Sequence, residues 1–402
     1  MYISRDIESA IDVMLGQGKV VLVTGARQVG KTTTLKHHLG DSFGYVSMDD
    51  PRERALALED SVLFFESKEL PLIIDEVQRV PELFSSVKWI VDQSEDKGRI
   101  VLTGSQTYHL MKGVSESLAG RIRILEMPPL SLRELYPLCG GSGPYVPSYV
   151  KAAGGASAED IWSIIHRGSM PELQNKNVSW DSFYADYVSA YLERDVRDLI
   201  NVKDESKFYN FMVACAARTG QLFNASDVGA VVGADHKTVK AWLSVLQASN
   251  IIRIVEPFFP NVDKRLSKTP KIFFLDAGLV CHLTRWTTPE QLRNGAAAGH
   301  IFETFVVSEV LKSYMNAGAS LRDIRFYRDS KKREIDLVIQ EGHILHPVEV
   351  KMAATVGSDA VRNFACLEDI AGYELGFGHV VCQTKEPYFI SKDVQAIPAW
   401  AI

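Results

Sequence analysis

Long apolar runs, paired cysteines and an excess of basic charge are all missing from this sequence of 402 residues. No apolar run approaches the ~20 residues that a membrane-spanning helix needs. The apolar segment nearest the N-terminus, Val20 to Val23, is too short for the core of a signal peptide. We therefore expect a soluble, cytoplasmic protein without a membrane partner.

Cysteine is scarce, and its spacing excludes two kinds of site. The five cysteines are an odd number without a CxxC pair: Cys139, Cys215, Cys281, Cys366 and Cys382. This pattern argues against a disulfide framework and against a thiolate zinc site. A net charge of −6, from 44 Lys plus Arg against 50 Asp plus Glu, argues against a bulk-basic nucleic-acid binder but leaves a local basic surface open. The length is sufficient for two or three domains.

A glycine-rich motif follows the first apolar segment. Lys19 to Thr24 predicts a buried strand, and the next eight residues match G-x-x-x-x-G-K-[ST] without a mismatch. A chance glycine turn is the alternative, but a helical pattern from Thr33 to Leu39 favours a phosphate-binding loop, whose backbone N–H groups bind phosphate oxygens at a helix N-terminus. Lys31 is expected to reach the β- and γ-phosphates, and Thr32 to ligate Mg²⁺. The predicted nucleotide-binding residues are Gly25, Ala26, Arg27, Gln28, Val29, Gly30, Lys31, Thr32 and Thr33.

An acidic pair completes the predicted nucleotide site. Pro71 to Glu76 reads as a central parallel strand with Asp75 at its carboxyl end, where ligands bind in such sheets. Asp75 is predicted to hold Mg²⁺, directly or through water, and Glu76 to activate the attacking water. A solvated turn is the alternative for two adjacent acids. Their combination with the phosphate loop favours hydrolysis of ATP.

Two further positions are candidates for contact with the nucleotide. The strand Arg99 to Thr103 leads into Ser105, so either Thr103 or Ser105 is placed to sense the γ-phosphate or to position water. Arg121 precedes another apolar strand and is a candidate arginine finger, a group worth ~10³–10⁵ in rate. It would act within the chain or across a subunit interface, and the second case predicts a homo-oligomer. A surface arginine at a strand edge is the alternative.

These motifs resemble a known family. Gly25 to Thr32, Ile73 to Glu76, Leu102 to Ser105 and Leu118 to Arg121 together resemble a group of prokaryotic AAA-superfamily ATPases. In that group the ATPase module is coupled to a winged-helix segment and to a C-terminal domain of uncharacterised function with a restriction-endonuclease-like core. The resemblance covers nearly the whole chain. It implies an α/β fold with an AAA-type P-loop parallel sheet, a helical and winged-helix region, and a restriction-endonuclease-like α/β domain.

The expected domains follow from this resemblance and from composition. They are an ATPase domain over 1–138, a linker rich in Gly, Pro and Ser over 139–160, a helical lid region over 161–215, a winged-helix region over 216–285 and an endonuclease-like domain over 286–402. Arg167 to Glu172 and Tyr191 to Val196 also resemble family motifs, the first in the lid. Arg194 is a candidate for contact with nucleotide or a neighbouring subunit, although a salt-bridged helix face explains it equally from sequence.

The middle region has a helix-turn-helix pattern. A short helix starting at residues 224–228, a turn at 233–235 and a second helix over 236–248 precede a predicted wing strand over 251–256. Near the start of the second helix, Lys237, Thr238 and Lys240 are expected to be exposed, which suits weak attraction to a phosphate backbone. Packing without DNA contact is an equal alternative.

Acidic residues near the C-terminus match a nuclease pattern. Asp336 followed by Glu349-x-Lys351 is typical of restriction endonucleases, with Glu303 as an additional acid on a helix. Asp336, Glu349 and Glu303 are predicted to hold a second divalent cation, and Lys351 to hold the attacking water. The alternative is a fold retained for binding without cleavage. The cluster Lys331 to Arg333 suits a phosphate backbone or a solvated hairpin turn.

Three functions remain open at this level. The leading hypothesis is an ATP-hydrolysing AAA-type ATPase whose cycle moves the winged-helix and endonuclease-like modules on DNA or another nucleic acid. The first alternative is an ATP-dependent switch or scaffold for a protein partner without nucleic acid. The second is a metal-dependent nuclease gated by ATP.

Overall fold

The computed structural model describes residues 2–105, 118–137, 141, 143–151, 160–196, 205–259 and 269–402, without the side chains of Arg194 and Asp195. The predicted contacts of Arg194, and the surroundings of Cys139, therefore lie outside the described part. Within it, no helix is both long and apolar enough to cross a bilayer.

The N-terminal unit is a five-stranded parallel sheet in the order β2-β3-β4-β1-β5. Its strands are β1 Val20–Thr24, β2 Gly44–Ser47, β3 Leu72–Asp75, β4 Ile100–Gly104 and β5 Ile122–Glu126. Its helices are α1 Ile7–Gln17, α2 Lys31–Leu39, α3 Pro51–Glu59, α4 Ser61–Glu66, α5 Leu83–Asp92 and α6 Leu132–Leu135, with a 3₁₀ turn at Val77–Arg79.

Strand β1 is buried on both faces, as is typical of strands in a parallel sheet. All five of its residues are buried, and successive side chains point to opposite faces. Val21 and Val23 pack into a core cluster that includes α1, whereas Val20 and Leu22 pack into a second cluster beneath α5. Because β1, β3 and β4 are parallel neighbours, their carboxyl ends meet at one edge of the sheet, and the segments that follow them form a common site.

The middle of the chain is helical and ends in a small antiparallel sheet. It comprises α7 Ile161–Arg167, α8 Trp180–Tyr191, α9 Glu205–Ala216, α10 Ala225–Val232, α11 His236–Ala248, strands β6 Ile252–Val255 and β7 Lys271–Phe274, and α12 Ala277–Leu283, with a 3₁₀ turn at Pro171–Gln174 and a π-helical turn at Leu192–Val196. Helices α10 and α11 begin at side-chain caps: Asn224 accepts from the N–H of Ser226, and Asp235 from that of Thr238. The predicted helix-turn-helix pattern and the strand after it are both present.

The C-terminal unit is a mixed sheet with one long helix against it. The elements are α13 Pro289–Asn294, α14 Ala298–Asn316, β8 Ile324–Arg328, β9 Glu334–Glu341, β10 Ile344–Val350, β11 Glu374–Leu375, β12 Gly378–Cys382, β13 Tyr388–Ser391 and β14 Val394–Pro398, with 3₁₀ turns at Leu321–Asp323, Ser358–Val361, Phe364–Leu367 and Ala399–Ala401. The strand order is β13-β14-β12-β10-β9-β8, and β11 pairs with β10. Strands β8, β9 and β10 are antiparallel neighbours, as the predicted hairpin succession requires.

The three units share one continuous apolar core, which extends from Ile7 to Ile402. The described part of the predicted linker has no helix or strand but is fixed against the C-terminal unit. Tyr145 is buried, and its hydroxyl donates to Nδ1 of His379 over 2.6 Å. The N–H of Val150 donates to Gln395. Residues 143–151 of the predicted linker are therefore packed against the C-terminal unit, because the side chain of Tyr145 belongs to its core.

Candidate nucleotide site and a second charged cluster

The loop between β1 and α2 has a backbone that glycine alone accommodates at two places. Gly25 has a φ of +153°, and a Cβ there would lie 2.4 Å from the carbonyl oxygen of Met127. Gly30 has a φ of +96° and immediately precedes α2. Gln28 is also in the left-handed region, at +60°. The loop is thus held in a conformation that L side chains rarely adopt, which is typical of functional loops.

A cavity of about 420 Å³ opens beside this loop. The residues around it include most of the predicted nucleotide-binding set and three positions from the helical region: Arg27, Gln28, Gly30, Lys31, Thr32, Thr33, Glu76, Ser105, Pro171, Glu172 and Ala190. The segment containing Pro171 and Glu172 closes one side, as the resemblance to a lid motif implied. The sequence placed Glu172 in that lid motif but did not predict its contact with a loop so much earlier in the chain.

Lys31 lies inside the loop. It is 7% exposed, and its Nζ donates to the carbonyl oxygens of Gly25 (2.9 Å) and Ala26 (2.8 Å). Val29 packs with its side chain fully buried. Two backbone carbonyl oxygens therefore hold the Lys31 ammonium within the loop, at the wall of the cavity.

At the end of β3, the Asp75 carboxylate accepts hydrogen bonds from two hydroxyl groups. Its Oδ2 accepts from Thr32 Oγ1 and from the Tyr45 hydroxyl, each over 2.9 Å, while Oδ1 is buried without a hydrogen-bond partner among the described residues. Tyr45 on β2 was missed from sequence, since only the pairing of β2 with β3 places it there. Burial, followed by the bond to Asp75, raises the pKa of Tyr45 well above its usual value, so it remains a neutral donor. A carboxylate and a hydroxyl at this distance are suitable ligands for Mg²⁺.

Glu76 is held in an unusual conformation directly after that strand. Its φ is +53°, and the Gln78 amide donates to its carboxylate. Burial raises the pKa of Glu76, and the nearby charge of Lys31 opposes the shift. A carboxylate with a raised pKa beside a phosphate-binding loop is suited to accept a proton from water.

Thr103 and Ser105 differ in their position relative to the cavity. Both hydroxyl oxygens are buried without a hydrogen-bond partner among the described residues. Ser105 lines the cavity, whereas Thr103 lies within β4 and does not. Of the two sequence candidates, Ser105 is the one that the structure brings to the loop.

Arg121 is far from this cavity in its own chain. It precedes Ile122, which pairs with Val20 at the amino end of β1, while the phosphate-binding loop follows the carboxyl end. Five residues of strand separate the two ends by roughly 15 Å. Its Nε and Nη2 donate to Asp92 over 2.6 and 2.9 Å. The strand direction therefore places Arg121 at the edge of the sheet opposite the cavity of its own chain, which favours the alternative across a subunit interface.

A second charged cluster lies between β7 and the C-terminal sheet. Lys271, 3% exposed, places its Nζ 2.9 Å from Glu303 Oε1, 2.7 Å from Glu334 Oε1 and 3.8 Å from Asp336 Oδ1. Neither Lys271 nor Glu334 was identified from sequence, because the first comes from the neighbouring unit and the second resembles an ordinary strand terminus.

The other predicted cation ligands are also engaged with protein groups. Lys351 Nζ lies 2.6 Å from Glu349 Oε1, and Asp336 Oδ2 accepts from the N–H of Val350 over 2.8 Å. Burial raises the pKa of Glu303 to about 8 and that of Glu349 to about 7, and the Asp336 charge adds to both shifts. These values reflect more buried negative charge than the two lysines neutralise.

The predicted second metal site is not formed in this arrangement. Among the residues that the structure describes, no group of three or more His, Cys, Asp or Glu side chains could hold a metal ion. The physical reason is that the Lys271 ammonium already lies between Glu303 and Asp336. Near it, Arg333 of the basic cluster pairs with Asp329 in the turn between β8 and β9, in agreement with the solvated-turn alternative.

Three family models match the chain in succession. Residues 17–136 match a model described as an AAA domain, and residues 158–290 and 298–402 match two different domains of unknown function. Uncharacterised proteins of Mycobacterium tuberculosis and Mycobacterium bovis are each 26% identical over 399 residues, which is 98% of this chain and 83% of theirs.

Solved structures with a similar chain path are distant. A Walker-type ATPase of Pyrococcus abyssi has a TM-score of 0.39 at 15% identity and covers 69% of this chain and 94% of its own. The RuvB Holliday junction branch migration motor of Thermotoga maritima has a TM-score of 0.28 at 16% identity, with coverage of 62% and 88%. Residues 17–136, the segment that holds the glycine-rich loop and the acidic pair, are therefore similar to an AAA domain.

Proposed function

We propose that this protein binds ATP with Mg²⁺ at the loop after β1 and hydrolyses it. The observation that carries the proposal is the pair of buried oxygens without partners among the described residues, Asp75 Oδ1 and Ser105 Oγ, beside the phosphate-binding loop. Burying such atoms without a hydrogen bond is costly, so a polar ligand is expected to supply the missing contacts.

Each residue of the site has a distinct part in this proposal. The loop N–H groups and Lys31 bind the phosphate chain, and Thr32 and Asp75 offer oxygen ligands to Mg²⁺. When bound, Mg²⁺ neutralises charge on the β- and γ-phosphate oxygens. Glu76 accepts a proton from the attacking water, for which its raised pKa is favourable.

ATP turnover by the wild type, Lys31→Ala and Glu76→Gln in the presence of Mg²⁺ tests this proposal. Lys31→Ala is expected to lose nucleotide binding, whereas Glu76→Gln is expected to bind ATP and to lose turnover by ~10²–10⁴. Equal rates in all three proteins would exclude the catalytic assignment.

We further propose that α10, α11 and the β6–β7 hairpin form a winged-helix unit that contacts nucleic acid. Lys237 and Lys240 are exposed at the start of α11, which supports phosphate contact. Thr238 is less available than the sequence suggested, since its N–H and hydroxyl both donate to Asp235. The Asp235 carboxylate at the same helix end opposes a phosphate, so we expect weak, strongly salt-dependent binding.

A charge-matched pair of double variants tests this contact. Lys237→Gln with Lys240→Gln removes two charges from α11, and Lys385→Gln with Lys392→Gln removes two from exposed positions of the C-terminal unit. DNA and RNA binding should weaken only in the first pair, with a smaller slope against salt concentration. No binding by the wild type at low salt would favour the rival proposal, an ATP-dependent switch for a protein partner.

The nuclease alternative has weaker support. The C-terminal sheet, with Asp336 on β9 and Glu349 at the end of β10, is compatible with a restriction-endonuclease-like domain. However, Lys271 lies between two of the required carboxylates. Incubation of DNA substrates with Mg²⁺ or Mn²⁺ tests cleavage, and any cleavage that survives Asp336→Ala and Lys351→Ala would come from elsewhere.

A further inference from the structure

Arg5 contacts the phosphate-binding loop from the segment before α1. Arg5 is 4% exposed. Its Nη1 donates to the carbonyl oxygen of Val29 over 2.7 Å, its Nη2 to that of Pro128 over 2.8 Å, and its Nε to Glu134 Oε1 over 2.9 Å. Three donors of one planar group thus bind three separate segments.

We propose that Arg5 is a positioning residue for the nucleotide site, an inference that rests on the proposed ATP binding. The Val29–Gly30 peptide is trans, so its carbonyl and N–H point in opposite directions. Holding the Val29 oxygen toward Arg5 turns the Gly30 N–H away from Arg5. Gly30 lines the cavity, so the orientation of this peptide determines whether its N–H can reach a bound phosphate.

Arg5 contacts the end of the loop that lies opposite Gly25. At the first end, Gly25 is already fixed by its close approach to Met127. At the second end, a Cβ on Gly30 would make only ordinary van der Waals contacts, the nearest at 3.8 Å, and one of these is with Arg5 Nη1. Arg5 joins Val29 to Pro128, the residue after Met127, so both ends of the loop are held to one segment after β5.

Glu134 fixes the orientation of the guanidinium. Its carboxylate accepts from Arg5, from the N–H of Asp6, from the N–H of Ser131 and from the Asn316 amide. With four donors and full burial, this carboxylate has little freedom to rotate. Arg5 is therefore held from one side and presents its remaining donors to the two carbonyl oxygens.

Lysine cannot replace this function. Its ammonium is a single point, whereas the guanidinium offers donors in fixed directions within a plane. Arg5→Lys retains the positive charge near the loop but cannot reach Val29, Pro128 and Glu134 together. The variant therefore separates a positioning role from a purely electrostatic one.

The experiment measures affinity for fluorescent ADP and for a non-hydrolysable ATP analogue, with Mg²⁺, alongside the unfolding temperature without nucleotide. The control is Arg133→Lys, since Arg133 lies nearby and donates to the carbonyl oxygens of Ile402 and Gly143 instead of the loop. We expect Arg5→Lys to bind about tenfold more weakly, the effect of losing one charge-assisted hydrogen bond. Arg133→Lys should bind as the wild type does.

The outcomes of this experiment are distinct. Wild-type affinity in folded Arg5→Lys, or equal weakening in both variants, would overturn the role of Arg5. Absence of nucleotide binding by the wild type would instead overturn the proposed function. If Arg5→Lys does not fold, Glu134→Gln replaces it, because this variant weakens the bond that orients Arg5 and changes no residue of the loop. Unchanged nucleotide affinity in Glu134→Gln would also reject the proposal.

Discussion

The Tyr45 hydroxyl donates a 2.9 Å hydrogen bond to Oδ2 of Asp75, so a residue of β2 orients the carboxylate at the end of β3. Thr32 donates to the same oxygen from the start of α2. Oδ1 is left as the oxygen of Asp75 that can ligate Mg²⁺, since it has no hydrogen-bond partner among the described residues. The proposed metal ligand is thus oriented by two side chains that are distant from it in sequence.

Removing the Tyr45 hydroxyl should weaken the response to Mg²⁺. Tyr45→Phe loses a hydrogen bond to a charged acceptor, worth ~1.5–3 kcal/mol. We expect half-maximal ATPase activity to require about tenfold more Mg²⁺. Titration of the rate with Mg²⁺ measures this, with Tyr149→Phe as a control at an exposed site in the segment 143–151. An unchanged Mg²⁺ curve for Tyr45→Phe would show that this bond does not orient Asp75.

The Arg121 finger, if it operates, must do so on a neighbouring subunit. Arg121→Ala should then lower turnover by ~10³ or more. Asp92→Ala, which releases Arg121 from its present partner, should retain activity. Turnover measured across protein concentration, together with light scattering in the presence of ATP, checks both expectations. Full turnover in Arg121→Ala, or a strictly monomeric ATP-bound protein, contradicts them.

Lys271 should determine whether the acidic cluster around it, formed by Glu303, Glu334 and Asp336, binds divalent cations. Lys271→Met leaves Glu303, Glu334 and Asp336 without their shared counter-charge, which is expected to destabilise the protein by ~3–5 kcal/mol. Ca²⁺ or Mn²⁺ should then raise the unfolding temperature of the variant, because a ligand that binds the folded state stabilises it. The wild type should respond much less.

Lys312→Met is the matched control for this experiment. Lys312 is a second buried lysine, but it pairs with the single carboxylate of Glu309. Its removal should also destabilise the protein, without creating a response to divalent cations. The same cation response in both variants would show that the effect is not specific to the acidic cluster.

His379 should make stability depend on pH in the acid range. Burial lowers the pKa of His379 from 6.5 to about 4. As pH falls from about 6.5 to about 4, the unfolded chain takes up a proton that the folded chain does not, so stability decreases with falling pH. A difference of this size corresponds to about 3 kcal/mol at most.

The contribution of His379 can be isolated by substitution. In His379→Gln the stability lost between pH 6.5 and pH 4 should be smaller, as measured by urea unfolding at several pH values. His343→Gln is the control, because His343 is largely exposed in the same unit. An identical pH slope in the wild type and His379→Gln would mean that His379 takes up its proton in the folded state.

Local sequence patterns were sufficient to predict a structure wherever it lies within one short segment. The loop from Gly25 to Thr32 and the acidic pair Asp75 and Glu76 are such cases, because a strand, a turn and a helix start are encoded by adjacent residues. The helix-turn-helix pattern around Asp235 was predictable for the same reason, since its cap is three residues from its donor.

Contacts between distant segments could not be predicted from local sequence patterns. Lys271, Tyr45 and Arg5 have no local signal, yet each touches a residue that the motifs had identified. Arg121 shows the same limit for a residue that a motif did identify: the direction of β5 places it at the edge of the sheet opposite the cavity of its own chain. Register and strand direction are set by packing of the whole sheet.

The sequence by itself determined the parallel α/β class of the first domain and the conformation of its loop, because that backbone conformation is one that nearby glycines allow. Only the tertiary structure decided how the charges are neutralised. Thr32 and Tyr45 orient Asp75. Glu303 pairs with the ammonium group of Lys271 on β7. Charge pairing depends on distance in space, and that distance is established only when the sheets and helices pack.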